Sequence, residues 1–359
     1  MKKIKKQVRR RLKAVVERLD NMALRMSASS RLAAGVYYLI KGDYGREQRA
    51  SAAGKLAYRA SLRKPGASSS LLRRNVHRVE KGLLMRPRRV PFGLNYIGET
   101  VAAYATTAAA GLDACELRWA TDVLDEYMAV TPSHPAVDPL RAQFRAAVPG
   151  GAASPTKADA LIPYVRDSSD AARITYEDML ALARYRRSVR WFLPEKVLRS
   201  EIDRALDVAA YSPSACNRQP FRFMVFDEPQ LVEKVIALPM GTGGFGHQVP
   251  ALAVVVGQQR NYFGERDRHL IYVDGALAAM SFVYGLEVQG LGSCCINWPD
   301  VEHLEQSMQE LLKLDADERP IMLIAIGHPD PEGMVARSVK KPLSIVRTYN
   351  LESNDKSDC

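Results

Sequence analysis

The sequence predicts a chain of two characters, mainly helical up to about residue 148 and mixed helix and strand after it. Three observations carry this. Apolar residues keep a helical spacing through the first part with no strong strand signal. Pro149-Gly150-Gly151-Ala152-Ala153-Ser154-Pro155 then breaks the pattern, and three short apolar strand patterns alternate with helical ones beyond it. With 359 residues, 47% of them hydrophobic, the chain can bury a large core, or two ordinary ones.

Residues 4–26 place Ile4, Val8, Leu12, Val15, Leu19, Met22 and Met26 on one helical stripe, with Lys5, Lys6, Arg9, Arg10, Arg11, Lys13 and Arg18 on the other face. Such a helix suits an anionic membrane surface, a contact that Leu32–Ile40 with Tyr37 and Tyr38 would deepen. It equally suits packing on the protein's own body. Charge is lopsided: residues 1–100 hold 25 Lys/Arg against 6 Asp/Glu, and the remainder 26 against 34. The partner-seeking surface is therefore N-terminal. Nucleic acid is disfavoured, because the segment has no interleaved aromatics and no binding module. No apolar run reaches the roughly 18 residues that cross a bilayer, and Lys41-Gly42-Asp43 offers no cleavage site after the apolar stretch. The expected location is cytoplasmic, with peripheral contact at the inner face of the membrane.

From Ser68 to Val148 the spacing predicts a helical subdomain. In it His77, Glu80 and Lys81 share a face that Gly82 is expected to close as an ion-paired helix end. Arg86, Arg88 and Arg89 follow. The pattern then predicts helices over 175–185, 195–210, 230–238 and 267–289, and strands over 222–226, 251–257 and 320–327, the last apolar enough to be central. The expected division is an arm (1–66), a helical subdomain (67–148), a linker (149–165), the mixed domain (166–350) and a tail (351–359).

The densest chemistry lies in Arg184-Tyr185-Arg186-Arg187-Ser188-Val189-Arg190-Trp191-Phe192. Arg186, Arg187 and Arg190 have no carboxylate in sequence between Asp178 and Glu195, so the cluster wants an anion as well as suiting a helix C-terminus. Gly241-Thr242-Gly243-Gly244-Phe245-Gly246 matches a dinucleotide fingerprint in letters only: it follows a helix and runs into a strand, and reads as a mobile loop. The five cysteines, Cys115, Cys216, Cys294, Cys295 and Cys359, show neither C-x-x-C spacing nor a histidine at ligand distance in sequence. Neither a zinc site nor a disulfide framework is indicated.

Taken in order, Arg186-Arg187-Ser188-x-Arg190-x-Phe192, the turn Ser212-Pro213-Ser214-Ala215-x-Asn217-x-Gln219-Pro220, Gly290-Leu291-Gly292-Ser293-Cys294 and the basic pair Lys340-Lys341 before Pro342-Leu343 resemble the FMN-dependent nitroreductase family. The resemblance covers about residues 170–349. It implies an α+β fold, with a central mixed sheet flanked by helices, in a homodimer holding two flavins. Arg186, Ser188 and Arg190, with Arg187 beside them, would contact the FMN phosphate, ribityl chain and pyrimidine edge. Pro213 and Ser214 belong to the cofactor turn, whose Asn217 and Gln219 would approach the isoalloxazine, in part across the dimer interface. The Gly292 and Ser293 backbone would face N5, and Arg337 and Lys340 would complete the phosphate site. No side chain need be catalytic and no metal is implied. Hydride would pass in ping-pong fashion from NADH or NADPH through flavin N5 to an electron-poor small-molecule substrate. The fold's relatives also leave open a flavin-dependent dehydrogenase or tailoring enzyme whose dedicated substrate is held by the helical subdomain, or a flavin-binding scaffold docked on an anionic membrane or polymer.

Overall fold

The structure, a computed structural model, describes residues 2–150 and 152–350, without the side chains of residues 2–5 and 8. The side chains of Ile4 and Val8 of the N-terminal stripe and of Lys5 on its basic face, together with Gly151 of the break, Cys359 and the 351–359 tail, thus lie outside what is described. In chain order come α1 (Lys2–Ser29), α2 (Arg31–Lys41), α3 (Gly45–Ser61), α4 (Ser70–Leu83), α5 (Ile97–Ala109), α6 (Ala114–Val130), α7 (Asp138–Ala147), α8 (Tyr176–Tyr185), α9 (Arg199–Ala210), β1 (Phe221–Phe226), α10 (Pro229–Ile236), β2 (Ala251–Gln258), α11 (Leu270–Glu287), β3 (Gly292–Asn297), α12 (Glu302–Leu312), β4 (Glu318–Gly327) and the single turn α13 (Leu343–Val346). The protein is α+β.

The four strands form one sheet in the order β1-β2-β4-β3, with every neighbouring pair antiparallel. This corrects the expected mixed sheet. β2 and β3, joined through α11, do run parallel to each other, but β4 lies between them and pairs antiparallel with both. β4 is interior, as its unbroken apolar run predicts. Pro320, which has no N–H to give, lies beyond the end of β3, where the β2–β4 register shifts between Val255 and Val256. β3 has no counterpart among the predicted strands, because Gly-Ser-Cys-Cys-Ile-Asn has one β-branched residue and little alternation.

Both sheet faces are covered. On one, Leu252, Val254, Val256, Leu323 and Ala325 meet α10 and α12 through Val232, Val235, Met308 and Leu312. On the other, Ala253, Val255, Ile324 and Ile326 meet α9 and α11 through Ile202, Ala205, Phe282 and Leu286. The segment Glu265–Glu287 is, against the sequence expectation, long and apolar enough to cross a bilayer, but α11 occupies most of it and half of its apolar window is buried. Its hydrophobicity is accounted for by the core it forms.

Helices α4 to α7 close a separate core around Leu72, Val76, Val79, Tyr104, Leu124, Tyr127 and Phe144. Gly82 does not end α4, which continues to Leu83. A Cβ at Gly82 would overlap the Phe92 ring, itself packed edge-on against Tyr127 at 5.0 Å. Gly82→Ala is therefore expected to cost about 1–3 kcal/mol by overpacking, read as a lower midpoint in urea unfolding; an unchanged midpoint would mean that the ring moves aside freely. The segment expected to be a linker is tied to α6: the Asp122 carboxylate accepts from Ser154 N (2.8 Å), Ser154 Oγ (2.6 Å) and Leu161 N (2.9 Å).

Within the segment expected as an arm, α3 is seated on the mixed domain. Arg46 Nε donates to Glu302 at 2.9 Å, Lys55 pairs with Glu265 and Arg268 with Glu47. Gly54 lies so close to Gln259 that a Cβ would meet its backbone carbon at 2.9 Å.

Candidate cofactor site

Thr175 starts α8 with a capping box, its hydroxyl accepting from Asp178 N while the Asp178 carboxylate accepts from Thr175 N. The helix ends where Arg186 turns extended, at φ −52° and ψ 125°. The chain then runs along the edge strand β3. Val189 N donates to the Ser293 carbonyl at 3.0 Å, and Ser188 pairs with Ser293 in an isolated parallel bridge. Gly292 permits this approach, since a Cβ there would lie 3.0 Å from both Val189 Cβ and Pro329. Arg186, Arg187, Ser188 and Arg190 thus join Gly292 and Ser293 in one place.

The electrostatics of this place are unbalanced. Among the described residues none of Arg184, Arg186, Arg187 and Arg190 forms a salt bridge, whereas other arginines of the domain, such as Arg199 and Arg222, are paired. Arg187 donates to the Arg186 carbonyl, and the Arg190 guanidinium lies 5.8 Å from the Phe245 ring centre. Gln248 donates to the Arg190 carbonyl. Two groups nearby could have supplied negative charge. Burial pushes the Glu287 carboxyl above its ordinary value against the pull of Arg186, and its Oε2 has no hydrogen-bond partner. Burial likewise pushes the Cys294 thiol up, against Arg190, the Ser188 hydroxyl and Arg186. Neither forms an ion pair with the cluster among the described residues, so the cluster is chemically fitted to an exogenous anion such as a phosphate monoester.

The glycine-rich segment lies between α10 and β2, not between a strand and a helix, so it is no dinucleotide fingerprint. It is anchored: Thr242 is buried, donating to the Ile236 and Pro239 carbonyls, and Phe245 enters the core. Its Phe245 and Gln248 form one side of the arginine cluster.

The second set of expected residues, Pro213, Ser214, Asn217 and Gln219, lies elsewhere. Their turn is strained, with Cys216, Asn217 and Gln219 all in the left-handed region at φ 54°, 50° and 48°. A buried polar group holds it. The Asp274 carboxylate accepts from Ala215 N and from the Tyr262 hydroxyl, both at 3.0 Å, and the buried Arg218 lies 4.8 Å from the Tyr262 ring centre. Burial and the Asp274 charge keep the Tyr262 phenol far above its usual range. Ser212 Oγ donates to Ser281 Oγ at 2.7 Å, and Ser214 Oγ accepts from Gln219 N at 3.1 Å.

This turn enters β1 at Phe221, opposite Gly257, whereas Gly292 lies opposite Gly327 at the other end of the sheet and on the other edge. Three interstrand spacings separate the two edges, about 14 Å, and the offset along the strands is about 25 Å. The two sets do not converge within one chain. Nor do Arg337 and Lys340, which are exposed on the extended segment after β4 and make no hydrogen bond or ion pair with the cluster among the described residues.

The sequence reading also missed what touches the turn from outside the mixed domain. Arg73 of α4 donates through Nε to the Asn217 carbonyl at 2.7 Å and through Nη1 to Glu116 of α6 at 2.9 Å. Glu116, whose side chain is 4% exposed, also accepts from Ser68 Oγ and Ser69 N. These residues, with Asp113, Cys115 and Trp119, line a cleft of about 440 Å³ that reaches Asn217. For Asp274 a signal did exist: a lone carboxylate inside an otherwise apolar helix. For Arg73 none did, since it is one of many N-terminal cations.

The fold is thus an α+β arrangement, an antiparallel sheet between two helical layers, with an arginine cluster free of salt bridges among the described residues on one edge and a strained polar turn diagonally opposite. A family model described as the nitroreductase family matches residues 183–240 and 229–328, so the nitroreductase-family match covers residues 183–328 of this chain. A Bacillus subtilis protein bearing the name NAD(P)H nitroreductase YdgI is 25% identical over 213 residues, spanning 49% of this chain and 99% of that one. A Streptomyces coelicolor protein named as an NADH dehydrogenase/NAD(P)H nitroreductase is 25% identical over 178 residues, 44% of this chain and 88% of that one. Among solved structures, an FMN-dependent nitroreductase from Clostridium difficile aligns with 48% of this chain and 99% of its own, at 21% identity and a TM-score of 0.42. Each of the three covers about half of this chain.

Proposed function

We propose that the protein is an FMN-dependent oxidoreductase that acts as a homodimer, with NADH or NADPH as the reductant of an electron-poor small molecule. The observation that carries this is the union of Arg186, Ser188 and Arg190 with the Gly292–Ser293 backbone, a cation set without a carboxylate partner beside a close-packed strand edge. Arg186, Arg187 and Arg190 would hold the phosphate, with Ser188 as a further donor, and the strand edge would admit a flat ring. Bound FMN would supply two-electron hydride chemistry at this place. The protein's part is to bind and orient, to keep positive charge where the cofactor carries negative charge, and to exclude water with Phe245 and the buried β3.

A second copy would answer the separation of the two half-sites. The surface left apolar supports it: Val273, Leu277 and Met280 on α11, Tyr211 after α9, and Met334, Val339, Leu343 and Ile345 on the extended C-terminal segment are all exposed in the single chain. In this arrangement the Asn217 turn of one copy faces the arginine cluster of the other, and Arg337 and Lys340 reach a partner's phosphate site. The cleft joining Arg73 and Trp119 to Asn217 favours a second reading, in which the helical subdomain holds a dedicated substrate beside the cofactor. The proposed location is cytoplasmic.

The purified protein is expected to be yellow and to elute at the mass of a dimer. A colourless protein that takes up no FMN when titrated would exclude the reading. Anaerobic mixing with NADH or NADPH is expected to bleach the flavin within a turnover time; bleaching only by another reduced compound would favour the dedicated-substrate reading.

A further inference from the structure

We infer that the α1–α2 hairpin is a peripheral membrane-docking device that seats the protein on an anionic lipid bilayer. The two helices meet through small and polar residues: Asp20, Ala23 and Ser27 of α1 are partly covered, as are Ala33, Ala34, Tyr37 and Tyr38 of α2. Tyr37 donates to Asp20 at 3.2 Å and Lys41 pairs with Asp20 at 3.3 Å. The large apolar side chains are left out of this contact. Leu12, Val15, Val16, Leu19, Met22 and Met26 on α1 are each more than half exposed. So is Val36 on α2, while Leu32, Leu39 and Ile40 reach 85%, 81% and 79%. Among the described residues neither hairpin partner nor body covers them, so this part of the stripe is not a core face.

Charge selects the occupant. Residues 1–41 contain 12 Lys/Arg against Glu17 and Asp20 alone. A second hairpin of the same charge would be repelled, whereas the headgroup region of an anionic leaflet accepts both features at once, apolar side chains inward and basic ones among phosphates. The hairpin would lie on the bilayer and not cross it: α2 has 11 residues, about 16 Å of helix, against a hydrocarbon core of about 30 Å. Its connection to the domain is fixed. Gly42 closes α2 in the left-handed region at φ 76°, and α3 follows at Gly45, held to the domain through Arg46 and Glu302. The arrangement would keep the oxidoreductase domain at a set distance from the lipid, independent of whether flavin is bound.

The test is co-sedimentation of the full-length protein with phosphatidylcholine vesicles, with and without about 30% phosphatidylglycerol. Binding is expected to be at least about tenfold stronger to the anionic vesicles and to weaken by about tenfold in roughly 0.5 M salt. The triple variant L12E, L19E and L39E is expected to lose at least about tenfold in binding, with flavin content and melting temperature unchanged because these side chains are more than half exposed and belong to no core. Equal binding to both vesicle types, or full binding by the triple variant, would overturn the inference. So would a triple variant that falls apart into smaller oligomers while the parent ignores vesicles, because a second copy would then be what covers the face.

Discussion

Arg186→Ala is expected to yield a folded dimer that purifies nearly free of flavin, with FMN affinity lowered by roughly 10- to 100-fold. One charge-assisted hydrogen bond to an anion contributes about 1.5–3 kcal/mol, and each 1.4 kcal/mol is a tenfold change in affinity. Arg186 is half-buried at the start of the extended segment that pairs with β3, and among the described residues its guanidinium enters no salt bridge. Removing it therefore breaks no internal ion pair, and the melting temperature of the apo-protein should hardly move. Arg190→Ala should act in the same direction, and its main-chain bond from Gln248 survives the substitution. The ratio of absorbance at the flavin band to that of the protein, followed by fluorescence titration of the apo-protein, measures this. A variant fully loaded with FMN yet inactive would show that the cluster acts on the substrate and not on the cofactor.

Arg73→Ala is expected to cost about 3 kcal/mol of stability and to weaken flavin binding although it lies outside the family-matched segment. Glu116 is buried, and removing its cationic partner leaves a carboxylate served only by Ser68 and Ser69; breaking buried pairs in this way costs about 3–5 kcal/mol, somewhat less here because two donors remain. The same change frees the Asn217 carbonyl and with it a turn that holds three left-handed residues in a row of four. Arg73→Lys should not rescue it, because one ammonium cannot reproduce a fork that serves Asn217 through Nε and Glu116 through Nη1. The double variant R73A/E116Q separates the effects. Thermal unfolding should recover part of the stability once the buried charge is gone, while flavin affinity stays low because the Asn217 carbonyl still lacks its donor. Recovery of both would make Arg73 a structural residue only.

What could be read in the sequence followed from short-range rules. The α8 helix was legible through its apolar spacing, and β4 through its unbroken apolar run. The arginine cluster stood out because no carboxylate lies near it in the chain, and among the described residues it forms no salt bridge. β3 and the seat of α3 were not legible. The first is composed of glycine, serine and cysteine, which say little about strands; the second depends on Gly54 of an alanine-rich helix meeting Gln259 some two hundred residues away. Gly82 misled, since a glycine near a helix end reads as a stop, and only the position of Phe92 reveals it as a space for an aromatic ring.

The residue types of the candidate site were thus set by the sequence alone: three arginines and a serine within five residues, an Asn-x-Gln turn, and a glycine-bounded strand edge. Their grouping was decided by tertiary structure. Strand order places the cluster and the turn at opposite corners of the sheet, because β4 inserts between β2 and β3, and hydrogen-bond pairing of distant strands leaves no local trace in a chain. For the same reason Arg73, which reads as an ordinary surface cation, became the donor that holds Asn217. From Leu12 to Met26 the N-terminal stripe, which the pattern allowed to be core or surface, is exposed because the hairpin closes through alanine, serine and tyrosine, with no apolar partner covering it among the described residues.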